Sequence, residues 1–283
     1  MGGAIMLVSA YLVPHGMQII PGLEEPYSEG FRPFHEAMEQ AGHDLRAEQP
    51  DLLLLLAVHG LSLPAAYAVY LNERLQGLLY RLTESNVFGE LGSRRLWQAD
   101  RPAAEALLQR LAAAGLPAEG VVQGAPSHPI TLAWGETVPL CYLAGEAGPR
   151  VVVISLPRKI AGDLTAMQGE LDGLGQVCVE YARAFAGRVS LVVSGDLSHV
   201  HRASGPYGQA PSAPVFDGLA QRWARNPSRE LVSDLLGLRP KALACGMAGI
   251  CVLQTVLEAT HLACTQATYA APTYFGMMVA HWK

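Results

Sequence analysis

Residues 188–200 read RVSLVVSGDLSHV. A short apolar run closes on Ser194, a Gly-Asp pair follows, and a histidine stands five residues past that serine. Two stretches far upstream share this layout: YLVPHGMQIIPG at 11–22 and LLLLLAVHGLSL at 52–63. Each run has the length of a strand buried on both faces, about four to eight residues. Ligands of open α/β sheets sit beyond the carboxyl ends of such strands. His15, His59 and His199 therefore fall where a shared site would be. His15 and His59 are each followed by glycine, which lets the backbone turn sharply and approach a ligand. The pattern alone leaves two readings open: a metal or catalytic cluster, or polar residues at strand ends.

Outward from these runs, short apolar segments alternate with longer amphipathic ones. Strands are expected at 5–13, 52–58, 94–98, 119–123, 139–143, 151–155, 189–194 and 272–280. Helices are expected at 28–48, 65–80, 102–114, 159–185, 214–223, 227–236 and 245–260. The helix at 102–114 is punctuated at both ends: Asp100 as N-cap, Pro102 in the first turn and Gly115 at the stop. Alternating strands and helices imply an α/β sheet with helices on both faces. The Gly-, Pro- and Ser-rich segment 201–214 reads as a loop beside the candidate site, either a cover for it or a plain connection. No internal repeat is visible.

Half of the 283 residues are hydrophobic and only 16% are charged, the balance of a well-buried chain, one domain over 1–283 or two closely packed halves. The net charge of −5 and the lack of any long basic stretch exclude a nucleic-acid footprint. No membrane-surface helix is indicated. No run reaches the roughly 18 apolar residues of a membrane span. The apolar start MGGAIMLVSAYLV lacks a basic leader and reads as the first buried strand. The five cysteines, odd in number and irregularly spaced, read as free thiols of a cytoplasmic protein.

Among the remaining histidines, His35, His43 and His261 fall in helical patterns, His281 lies near the C-terminus, His128 is on a loop, and His201 flanks His199. Two neutral imidazoles and a carboxylate form the usual open site of Fe(II) oxygenases. A further uncoordinated histidine would then carry protons.

The chain resembles the class III extradiol dioxygenase superfamily of LigB type, which includes the Memo-like proteins. The resemblance rests on PHGMQIIPG at 14–22, VHG at 58–60, GETVPL at 135–140, SGDLSH at 194–199, GPYG at 205–208, Phe216-Asp217, ACGMAGICVL at 244–253 and TYAAPTYFGMMVA at 268–280. It implies a mixed central sheet flanked by helices on both faces, a phosphorylase-like architecture. It also implies a non-haem Fe(II) enzyme that opens a catecholic ring with O2, with His15 and His59 as ligands, His199 as acid–base residue and Asp196 as its structural partner in the same turn. The expected partner is a small aromatic substrate. A homo-oligomer, or assembly with a partner subunit, is also expected.

The chain departs from that pattern twice. Lys241-Ala242 stands where the family has Glu-Ala, whose carboxylate is the third ligand. An ammonium cannot ligate, and within about 4 Å it would repel a dication by several kcal/mol. Ala133-Trp134 replaces the family's Asp-His. Cys245 is the candidate replacement ligand, as in Memo-like relatives, and would favour Zn or Cu over iron. Its alternative reading is a buried small apolar residue. Glu136 is a second candidate, and Glu258 sits too far along its helix. The implied alternatives are a metal-poor non-catalytic relative or subunit, and a His/His/Cys metal-binding protein.

Overall fold

The structure is a computed structural model that describes residues 7–20, 28–82, 88–145 and 148–283. Pro21 and Gly22 of the 14–22 motif, and residues 5 and 6 of the expected first strand, lie outside the described residues.

Four strands form the centre of the main sheet: β1 (Leu7–Val13), β2 (Leu52–Ala57), β8 (Arg150–Ser155) and β9 (Val189–Ser194). They run parallel, in the order β1-β9-β2-β8. Their apolar composition follows from burial on both faces. In β2, Leu52, Leu54 and Leu56 join one core, while Leu53, Leu55 and Ala57 join the other. Period-two alternation thus divides a continuous leucine run between two layers.

β11 (Met277–Trp282) pairs antiparallel with β1, and β10 (Cys264–Ala270) with β11. On the other side, β3 (Tyr67–Tyr70) pairs antiparallel with β8 and parallel with β6 (Ala118–Val121). The eight-stranded sheet is therefore mixed, as expected. A separate three-stranded sheet holds β4 (Arg74–Leu82), β5 (Phe88–Gln98) and β7 (Pro129–Leu132).

One face of the main sheet is covered by α2 (Arg101–Ala113), α4 (Gln168–Ala184), α5 (Ser212–Arg225), α6 (Arg229–Ala242) and α7 (Met247–Thr260). The other is covered by α1 (Ser28–Glu48), α3 (Trp134–Leu143) and the small sheet. Among the described residues no helix is long and apolar enough to cross a membrane. All five cysteines are free.

Several expected elements are corrected. Residues 139–143 are the end of α3, not a strand. The Glu136 carboxylate accepts a hydrogen bond from the Ala133 amide, closing the first turn of that helix. Residues 65–80 are β3 and β4, not a helix. Asn72 breaks the segment by binding the carbonyls of Gln123, Ala125 and His128 and the amide of Gln123. The expected helix at 159–185 is a single 3-10 turn at Arg158–Ala161 followed by α4. The expected strand at 272–280 divides into the end of a connection and β11.

Candidate metal centre and active-site crevice

The sheet register brings the three histidine-bearing ends together. Val13 and Ala57 both pair with Ser194, so β1, β9 and β2 stop at one level. His15 and His59 lie two residues beyond their strands, and the Gly195–His199 turn lies between them. All three histidines line one crevice of about 270 Å³. Their clustering follows from register and not from nearness in sequence.

His15 is buried, and its Nδ1 is 2.9 Å from Ser194 Oγ. That hydroxyl spends its only proton on the Gly135 carbonyl at 2.5 Å. It must therefore accept from His15, which fixes the proton on Nδ1 and leaves a lone pair on Nε2. Burial pushes the His15 imidazole down to about 3, and the nearby His199 adds to the shift, so the ring is neutral. Nε2 then faces Asp196 Oδ2 at 3.1 Å and Cys245 Sγ at 3.5 Å.

The Gly135 carbonyl is free for Ser194 because of Pro139. In α3 the residue at 139 would donate its N–H to that oxygen, and proline has none. A proline inside a helix thus orients a histidine on another strand.

Cys245 comes up to the His15 ring through two glycines. A Cβ on Gly195 would come within 2.4 Å of the Gly246 backbone, so only this pair permits the close approach. The Cys245 Sγ accepts from the Asp196 amide at 3.3 Å. The Asp196 Oδ1 in turn accepts from the His15 amide at 3.3 Å. Asp196 is therefore more than a turn residue: it touches two of the candidate ligands. Burial pushes its carboxyl up to about 7, against the opposing pull of His199 and the His15 amide.

His59 holds a left-handed backbone, φ 61°, which costs a non-glycine residue about 1–2 kcal/mol. The backbone on either side of it is closely packed. A Cβ on Gly60 would meet Glu136 Oε1 at 2.1 Å, and one on Gly135 would meet the Val58 carbonyl at 2.0 Å. The His59 ring stands edge-on to His15, centroids 5.2 Å apart, and stacks on Trp134 at 5.3 Å. Desolvation, then His15, lowers its proton affinity.

His199 lines the same crevice. Its Nδ1 bonds the Leu197 carbonyl at 2.9 Å, which leaves Nε2 as the lone-pair nitrogen. Burial lowers its proton affinity, with Asp196 acting in the opposite direction. The ring stacks on Phe275 at 5.7 Å and lies 6.1 Å from Tyr207. Tyr207 comes from the 201–214 segment, which thus borders the site. Asp217, fully buried, holds the turn: it accepts from the Ser198 amide at 2.9 Å and Tyr269 Oη at 2.8 Å, and lies 2.6 Å from His201 Nε2.

Two overlapping donor sets result, His15-His59-Cys245 and Asp196-His199-Cys245, each with donor atoms within 4.8 Å of one another. The residues fit a divalent cation. A neutral imidazole lone pair, a carboxylate oxygen and a sulfur converge on one point, and a cation there relieves their mutual repulsion. It would also ionise the thiol, which burial otherwise holds above its ordinary value.

Other sequence candidates lie elsewhere. Lys241 is exposed beside Ser212 and Val215 and does not line the crevice. The repulsion expected from an ammonium in the ligand's place is therefore corrected. Glu136 is buried but bonds Tyr70 and Ala133. Glu258 pairs with Arg229. His128 is exposed, outside the crevice lining. His281 is bound to Glu48 at 2.9 Å. The aromatic wall of Trp134, Tyr207, Tyr274 and Phe275 was not assigned from sequence. Its aromatic clustering in GPYG and PTYFG was the only available signal.

The family model described as the catalytic LigB subunit of aromatic ring-opening dioxygenase matches residues 9–276. A crystal structure of the uncharacterized protein JW3007 from Escherichia coli superposes with a TM-score of 0.57 at 15% identity, covering 96% of this chain and 98% of that chain. That likeness is one of fold. No curated protein matches the chain.

Proposed function

Since the chain belongs to the LigB family of aromatic ring-opening dioxygenases, we propose that it is a metal-dependent oxidoreductase that opens a catecholic ring with O2. His15 and His59 would hold a non-haem iron, with Asp196 and Cys245 bordering it. The convergence of His15 Nε2, Asp196 Oδ2 and Cys245 Sγ carries the reading. Bound there, the metal would supply Lewis acidity toward the two phenolic oxygens and electrons for O2.

The chain's own residues supply the rest. Trp134 and the mutually packed Tyr207, Tyr274 and Phe275 line the crevice as an aromatic slot suited to a flat ring. His199, neutral and with its Nδ1 proton committed to Leu197, takes a hydroxyl proton at Nε2. Asp217 keeps His199 in place through the Ser198 amide. In the overall reaction both atoms of O2 are added across one ring C–C bond, which breaks.

The test is iron-reconstituted protein assayed for O2 uptake with catechol and 3,4-dihydroxybenzoate. The expected result is stoichiometric O2 consumption with a ring-opened product, reduced about 10²–10⁴-fold in His199→Ala. No uptake with either substrate by protein shown to contain iron overturns it.

A second reading rests on Cys245. A thiolate beside two imidazoles favours zinc or copper, giving a metal protein without oxygen chemistry. It is supported if protein purified without added metal carries zinc or copper that iron does not displace.

A further inference from the structure

A second cavity adjoins the donor cluster. It measures about 370 Å³, within the usual range of small-molecule sites, roughly 300–1,000 Å³. His59 is the one residue whose side it shares with the crevice, and Cys245 lies in its wall. The rest is mostly apolar, with Leu156, Ile160, Leu164 and Ala248 among its walls, and no carboxylate lines it.

Two guanidinium groups do. Arg239 gives Nη1 and Nη2 to the carbonyls of Ile160, Ala161 and Gly162, which anchors that wall. Its Nε is buried and has no hydrogen-bond partner, and no acid pairs with it among the described residues. Arg158 is exposed at the cavity and makes no side-chain hydrogen bond or ion pair among the described residues. An apolar chamber with an unpaired guanidinium, Arg158, at its exposed edge and a second, Arg239, in its wall with no carboxylate beside it is complementary to an anion with an apolar body.

We propose that this cavity binds a small monocarboxylate with an aromatic or aliphatic body, its carboxylate recognised by Arg158 and favoured by the positive charge of Arg239 in the wall. The apolar walls disfavour inorganic anions, which have nothing to bury there. The site is distinct from the aromatic crevice and stands whether or not the ring-opening reaction does. An occupant lies against His59 and Cys245 and so adjoins the proposed metal centre.

Isothermal titration of the full chain with benzoate, and with benzamide as its neutral analogue, tests this. Benzoate should bind at least about tenfold tighter than benzamide, the worth of one charge-assisted hydrogen bond. Arg158→Gln should erase the difference. Ala161→Trp, at an exposed wall position, should abolish binding of both. Tyr207→Ala, in the crevice, should leave benzoate binding unchanged. Equal binding of benzoate and benzamide, no benzoate binding at millimolar concentration, or binding lost in Tyr207→Ala but kept in Ala161→Trp would each overturn the proposal.

Discussion

Ser194 donates its hydroxyl proton to the Gly135 carbonyl over 2.5 Å. That oxygen is available because Pro139, four residues along α3, carries no N–H to bond it. One relay therefore runs from a helix proline through a carbonyl and a hydroxyl to the Nδ1 of His15. It sets which nitrogen of His15 faces Asp196 and Cys245.

Removing the relay should weaken metal binding without unfolding the protein. Partners that orient a metal-bound histidine are typically worth 10–100-fold in affinity. Ser194→Ala is expected to lose about that much in a competitive chelator titration. Pro139→Ala restores an N–H that competes for Gly135, so its affinity should also fall while thermal stability holds or rises. Unchanged affinity in both variants would remove the relay from the account.

Asp217 places His199 without touching the crevice. It is fully buried and bonds Ser198, His201 and Tyr269. Asp217→Asn swaps an acceptor for a donor against these partners. Loss of stability of about 2–4 kcal/mol is expected from denaturant unfolding. In the turnover assay kcat should fall more than KM rises, because the proton-transferring residue moves and the aromatic slot does not. Equal effects on both would assign Asp217 a purely structural role.

Glu136 should make stability fall as pH rises from the ordinary carboxylate range toward neutrality. Burial raises its carboxyl to about 7, although hydrogen bonds from Tyr70 and the Ala133 amide oppose the shift. Its folded value lies above its unfolded one. Its contribution is therefore complete below about pH 4.3 and is lost as pH rises through about 7. The melting temperature should decline between about pH 5 and 8, and Glu136→Gln should flatten part of that decline. A variant curve parallel to the parent's would contradict it.

The strand ends were the most legible part of the sequence. β9 runs over the expected residues 189–194, and short apolar runs closing on histidine mark parallel strands whatever their separation. Fold class followed from the same runs. The helix α3 was hidden because its apolar residues and internal proline resemble a strand. What starts the helix is Glu136 reaching back to Ala133, a contact of side chain with backbone. The segment 65–80 carries apolar residues at helical spacing as well as in alternation, and the tertiary role of Asn72 decides between them. Trp134 read as a missing histidine, yet it stacks on His59. Lys241 read as an obstacle, yet its side chain is exposed outside the crevice. The expected elements included neither residue, although Trp134 opens α3 and Lys241 lies in the last turn of α6, and the direction of each side chain depends on packing.

The most direct measurement is the stoichiometry and affinity of divalent-metal binding by the parent chain and by His15→Ala and His59→Ala. One ion per chain is expected in the parent, with binding weakened at least about 100-fold in each variant. A parent chain that takes up no metal, or variants that bind it as tightly as the parent, would contradict the account.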